Sequence, residues 1–383
     1  MISVGKNSSK EELLSSRESP RIPGLDTLRF FAILLVLGRH IDIEPPLTST
    51  FLTFFIHWWR SIGWIGVELF FILSGFLITN LLVKEYQKHG AIRAARFLYR
   101  RALKILPSLY VLLIFTFIAS RSPLNLTSVI AEIFLFQNYH QGLWAHTWTL
   151  AIEGQFYLII TLVMVILTFL NYFTLFPVIS TLIILSCALS RITSALNDTV
   201  GNFHDFAVLT HFRLDSLFTG ALIGYYWDTR RMQLEFLGKK CNKYFYILLL
   251  CSMVLPACFP VETSNVMYTY GYNILALIFS VILVITLSQS PSSGISSNGK
   301  NQMMRYLSSL FEYLGKHSYP TYLWHMPVYS VCSKFAPIQD NSSGLLLYLT
   351  VIISYILLSF VVGYMMSRAI EYPILLFRGR IIP

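Results

Sequence analysis

The chain has 383 residues, of which 55% are hydrophobic and only 13% are charged, and its formal net charge is +10. A soluble domain of this composition would lack enough polar side chains to cover its surface, so an ordinary soluble protein is excluded. Apolar stretches of about 20 residues, the length needed to cross a bilayer, recur from end to end. The sequence therefore predicts an all-α, polytopic integral membrane protein.

Ten candidate spans follow one another along the chain. They cover residues 25–42, 62–83, 97–119, 147–170, 174–193, 207–227, 244–259, 267–288, 311–333 and 343–366. The stretch 128–139 is too short and too polar to cross a bilayer, and we expect a re-entrant or interfacial segment there. We predict a cytoplasmic N-terminal tail over 1–24, one membrane domain over 25–373 and a cytoplasmic C-terminal tail over 374–383.

The basic residues and the cysteines narrow the classes of partner. When the spans alternate from a cytoplasmic N-terminus, 21 Lys and Arg residues fall inside and only three, Arg60, Arg121 and Lys334, fall outside. Cytoplasmic loops of membrane proteins carry such an excess, so we expect no nucleic-acid partner. The five cysteines form no C-x-x-C pair, and the sequence predicts neither a disulfide framework nor a metal site.

The first span carries two ionisable residues, Arg29 and His40, which are eleven positions apart. On a helix this spacing leaves them about 20° apart in direction and about 16 Å apart along the axis, so they share one face. In one interpretation Arg29 extends to the cytoplasmic interface and His40 hydrogen-bonds a neighbouring helix. In the other, His40 is a general base and Arg29 is a fixed cation, and a long anionic substrate lies along this face.

Two further segments place charge in or beside apolar runs. Glu68 lies in a strongly apolar span, where Ser74 and Gly75 are explained by close helix packing. Basic residues cluster at the start of the third span, and they predict either ordinary cytoplasmic anchoring or a clamp for phosphate groups. The cluster consists of Arg96, Arg100, Arg101 and Lys104.

The later spans add isolated polar residues. Glu153 lies in an aromatic and aliphatic stretch, and a carboxylate there could orient a histidine base. Trp148, nearby, is typical of an interfacial aromatic. His325 lies between aromatic residues, and Glu371 follows the last span, where alone it would pass as a solvated tail charge. For Arg213 and Asp215, at the start of the sixth span, we expect an internal ion pair.

These segments together resemble the membrane-bound acyltransferase 3 family. The match covers nearly the whole chain, and the motifs stand in the family's order. They are Arg29 to His40, 66–79, Arg96 to Pro107, Trp148 to Tyr157, Ser318 to Pro327 and Ile370 to Pro373. One departure is Lys104, which stands where arginine is commoner.

The resemblance implies a multi-pass enzyme of the bacterial cytoplasmic (inner) membrane. Such an enzyme moves an acyl group, usually acetyl, from acetyl-CoA or another acyl-CoA to a hydroxyl of a carbohydrate. The acceptor is often lipopolysaccharide O-antigen or another surface glycan, and some relatives act on macrolide-like small molecules. Acyl-CoA is then a co-substrate, with membrane lipid as the surroundings, and no permanently bound cofactor is expected.

The site residues receive roles by combining the resemblance with their chemistry. His40 is the predicted catalytic base, Glu153 its orienting carboxylate and Arg29 a third catalytic residue. Arg96, Arg100 and Arg101 are predicted to bind the phosphates of acyl-CoA. A substrate or supporting role is expected for the remaining candidates, which are Glu68, Trp148, His325 and Glu371. An acyl-histidine intermediate is as compatible with these residues as direct transfer.

Two other classes of protein remain as alternatives. A transporter or flippase for a glycan or small molecule would also place charge inside the membrane, although the sequence shows no internal repeat of the kind many transporters carry. A catalytically inactive scaffold is the third possibility. Consumption of acyl-CoA with acylation of an acceptor would separate the enzyme from both.

Overall fold

The computed structural model describes residues 22–44, 50–120, 123–197, 208–261, 264–289, 302–335 and 344–381, and within them the chain is helical without strands. Most of the predicted N-terminal tail, residues 1–21, lies outside the described residues. The helices are α1 (Leu25–Arg39), α2 (Thr50–Ile62), α3 (Ile65–His89), α4 (Ala94–Ala119), α5 (Leu126–Ile133), α6 (Trp148–Phe169), α7 (Phe176–Leu196), α8 (Thr210–Thr229), α9 (Arg231–Cys241), α10 (Phe245–Cys258), α11 (Tyr272–Gln289), α12 (Gln302–Lys316), α13 (Ser318–Cys332), α14 (Gly344–Met366) and α15 (Tyr372–Ile381).

The predicted all-α, multi-pass architecture is confirmed. Among the described residues, seven helical stretches are long and apolar enough to cross a membrane, namely Phe51–His89, Ala94–Ala119, Trp148–Phe169, Phe173–Leu196, Arg231–Cys258, Met267–Gln289 and Leu345–Arg378. Three predicted spans fall outside this set because α1 and α13 have 15 residues each and α8 carries several charges. The count of ten spans and the cytoplasmic termini stay predictions.

Helix α8 lies at the centre of the bundle, with most of its residues buried against α3, α7 and α11. Small residues allow α3 and α8 to touch through their backbones. A Cβ on Gly75 would lie 1.9 Å from the Leu217 carbonyl oxygen, and one on Gly220 would lie 2.1 Å from the Ile72 oxygen. This is the close helix packing that the sequence predicted for Gly75.

Two buried ion pairs fix α8 to its neighbours. Glu68 on α3 pairs with Arg213 on α8, and Arg191 on α7 pairs with Asp215 at 2.6 Å. The Arg213 guanidinium also lies over the Tyr272 ring, 3.9 Å from its centroid. Buried charges need such partners, because lipid and protein interior solvate an isolated charge poorly. In place of the single internal ion pair expected at Arg213 and Asp215, the structure therefore has two buried pairs, each with a residue of another helix.

Three local features differ from the sequence-based segments. Helix α2 lies outside the predicted spans except for Ile62; it exposes Phe51 and Phe54 and buries Ile56, so its apolar side chains face both outward and inward. The predicted span 311–333 is divided at His317 into α12 and α13, three residues before Pro320, which has no backbone N–H to donate. Part of the predicted C-terminal tail is helical, in α15.

Candidate active site

A cavity of about 150 Å³ opens where α1, α3, α4, α6 and α13 meet. Charged side chains line it, although the surrounding helices are mainly apolar. Four are cations and two are carboxylates, namely Arg29, Arg101, Lys104, Lys316, Glu153 and Glu371. The cations come from the helix ends that the charge bias predicts to be cytoplasmic. The cavity is therefore a positively charged opening toward one side of the membrane, which would attract an anionic ligand.

Arg29 faces this cavity from the first turns of α1. Its guanidinium pairs with Asp26, one helical turn earlier, at 2.5 Å. The sequence left open whether Arg29 extends to the interface or lies in a path for substrate. The structure places the side chain, which is about a quarter exposed, in the cavity wall.

Only part of the predicted phosphate clamp faces the cavity. Arg101 and Lys104, three residues apart on α4, line the cavity, and the Arg101 guanidinium lies 5.5 Å from the centroid of the Phe97 ring. Arg96 and Arg100 lie on the same helix and are outside the lining residues. The cationic pair that faces the cavity is therefore Arg101 with Lys104. Lys104 belongs to the basic cluster predicted from the sequence, although it was not among the three arginines assigned to acyl-CoA.

Glu153 also lines the cavity, and its hydrogen-bond partners differ from the predicted one. Its carboxylate accepts hydrogen bonds from Ser74 at 2.7 Å and from Tyr157 at 2.9 Å. The orienting contact expected between Glu153 and His40 is thus replaced by contacts to these two hydroxyls. The sequence explained Ser74 by helix packing alone, but its hydroxyl donates a hydrogen bond to the Glu153 carboxylate.

Glu371 reaches the cavity because the chain forms a π-helical turn, Ser367–Glu371, between α14 and α15. The Ser367 hydroxyl donates to the Glu371 carboxylate at 3.0 Å. Single π-helical turns are frequent at functional sites because they redirect side chains within a helix. The Glu371 carboxylate therefore lines the cavity and is not a solvated tail charge.

Two hydroxyl-bearing residues of the cavity lining, Thr149 and Tyr322, are hydrogen-bonded to each other. Thr149 donates to the Tyr322 hydroxyl oxygen at 2.7 Å, and the Tyr322 hydroxyl donates to the backbone carbonyl of His146. The Tyr322 ring contacts the imidazoles of His146 and His325, with centroids 5.5 and 5.6 Å away. Tyr322 thus separates the cavity from a group of histidines.

Three imidazoles lie behind Tyr322. The His325 ring is 5.0 Å from the His40 ring and 4.8 Å from the His146 ring, measured between centroids. His40 follows the last residue of α1, and His325 lies within α13. The structure therefore brings together His40 and His325, which the sequence singled out separately, and adds His146. No group of three His, Cys, Asp or Glu within the described residues could hold a metal ion.

His146 was missed by the sequence reasoning because it lies in the connection that precedes α6. Glu132 on α5 holds this connection by accepting hydrogen bonds from the Leu143 and Trp144 amides and from the Thr147 hydroxyl at 2.7 Å. The one sequence signal was a carboxylate, Glu132, inside the short stretch 128–139 that was predicted to be re-entrant or interfacial. Burial raises the pKa of Glu132, and the three donors stabilise the carboxylate.

The environment of His146 also keeps its imidazole neutral. Its Nε2 hydrogen-bonds the Leu323 carbonyl at 3.1 Å, which assigns the N–H to that nitrogen. Burial lowers the pKa of His146 to about 3, and the nearby His40 imidazole acts in the same direction. A neutral imidazole keeps one basic nitrogen, which is the form needed to accept a proton.

Two sequence candidates lie outside both the cavity and the histidine group. Glu68 is fully buried and accepts hydrogen bonds from Arg213 and Ser216. Trp148 packs edge-to-face on Phe71, with centroids 6.2 Å apart. Both residues therefore hold helices together in this structure, whereas the sequence suggested a substrate or supporting role for them.

Comparison with known proteins identifies the family. A family profile described as "Acyltransferase domain" matches residues 22–368. The chain belongs to this acyltransferase family. It is 28% identical over 335 residues to O-acetyltransferase OatA of Staphylococcus aureus strain NCTC 8325 / PS 47, a match that covers 82% of this chain and 52% of that protein.

A second relative, SACOL0978 of Staphylococcus aureus strain COL, is provisionally named an O-acetyltransferase. It is 27% identical over 346 residues, with 81% of this chain and 51% of that protein covered. The 383-residue chain therefore spans about half the length of these curated relatives. No solved structure matches the chain. The resemblance drawn from the sequence motifs is confirmed at the level of the family.

Proposed function

We propose that this membrane protein is an O-acyltransferase that moves an acetyl group from acetyl-CoA to a hydroxyl of a surface carbohydrate. The observation that carries the proposal is the arrangement of the cavity. Its cations lie at the predicted cytoplasmic end, where acyl-CoA is made, and the histidine group contacts Tyr322 of the cavity lining. The relatives named O-acetyltransferases support the choice of acetyl as the acyl group.

Coenzyme A fits this opening by charge and by shape. Its phosphates would bind Arg101 and Lys104, with Lys316 and Arg29 beside them, since guanidinium and ammonium groups are the usual partners of phosphate. The pantetheine arm would then extend along the cavity toward Thr149 and bring the thioester close to the Tyr322 wall. Binding through the phosphates would position the reacting carbon without any contact to the acetyl group itself.

The chemistry requires a base for the acceptor hydroxyl. His40 would take the hydroxyl proton while the acceptor oxygen bonds to the acyl carbon. The carbon–sulfur bond breaks, and the coenzyme A thiolate leaves and then takes up a proton. Such proton transfer by a positioned imidazole contributes roughly 10²–10⁴-fold to rates. A route through acetyl-His40 would use the same residue as nucleophile, and an isolated acetyl-enzyme would distinguish it.

The acceptor and the location follow from the same arrangement. We place the enzyme in the bacterial cytoplasmic (inner) membrane, with the acceptor approaching His40 from the outer side. Lipopolysaccharide O-antigen and other surface glycans present suitable hydroxyls on that side. Asp42, Glu44 and Arg60 are charged and partly exposed next to His40, and they offer hydrogen bonds to a polar acceptor.

A label-transfer assay tests the proposal. Purified protein in lipid nanodiscs receives acetyl-CoA labelled in the acetyl group, together with a surface-glycan preparation from the source cell. We expect label on the glycan with the wild type and with His89→Ala, and none with His40→Ala. His89 is the matched control because it is an exposed histidine at the end of α3, outside the cavity lining and the histidine group. Equal transfer by His40→Ala would refute the role of His40, and glycan uptake without label would favour a transporter.

A further inference from the structure

Helices α4 and α13 run past the cavity in the same direction. The Tyr319 hydroxyl on α13 donates to the Ile105 carbonyl on α4 at 2.9 Å. Further along both helices, Phe115 packs edge-to-face on Trp324, with centroids 5.3 Å apart. The cationic pair of the cavity precedes Ile105 on α4, whereas Tyr322 follows Tyr319 by three residues on α13. The cationic pair therefore lies on one side of this contact and Tyr322 lies on the other.

Helices α3 and α6 show which other residues lie at the level of Tyr322. Ser74 on α3 donates to Glu153 on α6 at 2.7 Å. One turn earlier on α3, Phe70 packs edge-to-face on the Tyr322 ring, with centroids 6.3 Å apart. One turn earlier on α6, Thr149 donates to the Tyr322 hydroxyl at 2.7 Å. One turn is about 6 Å along each helix, and we call this part of the cavity, lined by Phe70, Thr149 and Tyr322, the Tyr322 end.

The Tyr322 end is also the part of the cavity nearest to His40. Arg29 lines the cavity from the first turns of α1, and His40 follows eleven residues later. The His325 ring contacts both His40 and Tyr322, with centroids 5.0 and 5.6 Å away. In acyl-CoA the phosphates and the acyl group lie at opposite ends of a long molecule. Phosphates held by the cationic pair would therefore leave the acyl group at the Tyr322 end.

The walls around this end are held in place by hydrogen bonds and packing. The Tyr322 hydroxyl is fixed from two sides, because it accepts from Thr149 and donates to the His146 carbonyl. Phe71, which also lines the cavity, is 1% exposed and packs edge-to-face on Trp148. Extra methylene groups in such a packed region force side chains out of their preferred conformations. A long acyl chain would therefore need one of the walls to move.

Phe70 is the part of this wall that bears on acyl length without taking part in the hydrogen bonds. It lines the cavity, is half-buried and rests on the Tyr322 ring. We propose that Phe70 selects acetyl by closing the Tyr322 end to longer acyl chains. The inference rests on the proposed function and assigns a specificity role to a residue that the sequence did not single out. A smaller side chain at this position would leave the Tyr322 hydrogen bonds in place and open space beside the acyl group.

Donor selectivity in nanodiscs tests this role. Each protein receives labelled acetyl-CoA or labelled hexanoyl-CoA with the surface-glycan preparation, and kcat/KM is measured for each donor. Phe70→Ala removes the ring, and Phe70→Leu makes a smaller opening that disturbs packing less. The matched control is Leu77→Ala, because Leu77 lines the same cavity from the same helix, two turns after Phe70 and beyond Ser74. The ratio of the two kcat/KM values is compared, so that a general loss of activity cancels.

We expect the wild type and Leu77→Ala to prefer acetyl-CoA over hexanoyl-CoA by about 100-fold or more, since apolar pockets discriminate roughly 10- to 200-fold per methylene. Phe70→Ala should reduce this preference about tenfold, and Phe70→Leu should fall between Phe70→Ala and the wild type. An unchanged ratio in both Phe70 variants, or an equal reduction in Leu77→Ala, would overturn the inference. A wild type that transfers hexanoyl as readily as acetyl would also overturn it and leave O-acyl transfer standing. Absence of transfer from either donor by the wild type would overturn the proposed function as well.

Discussion

Glu68 provides the sharpest test of how the bundle is held together. The carboxylate is fully buried and accepts hydrogen bonds from Arg213 and Ser216. Arg213 is 1% exposed, and the neighbouring Asp215 already pairs with Arg191 at 2.6 Å. Glu68→Ala would therefore leave a buried guanidinium without its counter-charge. Removing one partner of a buried pair costs about 3–5 kcal/mol, a large part of the stability of a typical domain.

The assay is thermal unfolding in detergent, with acyl transfer measured beside it. We expect Glu68→Ala to lower the unfolding temperature strongly. The double variant Glu68→Leu with Arg213→Met should recover most of the loss, because neither charge then remains buried. Glu68→Gln keeps the shape and removes the charge. A Glu68→Gln protein that unfolds like the wild type but has lost acyl transfer would refute the structural role and support the substrate role suggested by the sequence.

The other predictions concern the cavity and the histidine group. Arg101→Ala and Lys104→Ala should each raise the KM of acetyl-CoA about tenfold, as expected for loss of one charged hydrogen bond. Arg100→Ala is the control, because Arg100 lies outside the cavity lining, and it should change the KM little. Equal effects of all three substitutions would place the phosphates elsewhere. The lowered pKa of His146 means that the unfolded state binds more protons between pH 3 and 6.5, so stability is highest above this window and falls as the pH decreases through it. At pH 5 the free energy of unfolding is lower by about 2 kcal/mol than at high pH. His146→Gln cannot titrate, so its unfolding temperature should fall less between pH 7 and pH 5 than that of the wild type. An identical fall in both proteins would contradict the buried, neutral state of His146.

Much of the cavity could be predicted from the sequence because its residues stand out one by one. Arg29, Arg101, Glu153 and Glu371 are ionisable residues in or beside apolar runs, and such residues usually face a protein interior. The family motifs then grouped them. The sequence did not show which polar side chains contact one another. Glu153 was expected to orient His40, whereas in the structure it accepts hydrogen bonds from Ser74 and Tyr157. Partners on different helices leave no local signal.

The same reason explains the pairings and residues that were missed. Glu68 and Arg213 are 145 positions apart, so a lone carboxylate in an apolar helix could not be told from a site residue. His146 lies in a connection whose course depends on Glu132, and loop residues carry no periodic pattern. Helix α2 was missed because its 13 residues are too few to cross a bilayer and His57 and Arg60 interrupt its apolar run.

The central claim is that acyl-CoA enters at the cationic end of the cavity and that its acyl group reaches His40. Sealed membrane vesicles of both orientations, supplied with external labelled acetyl-CoA that cannot cross the bilayer, test this directly. We expect labelled glycan in inverted vesicles, in which the cytoplasmic face is outside, and none in right-side-out vesicles or with His40→Ala. Equal labelling in both orientations, or labelling that survives His40→Ala, would contradict it.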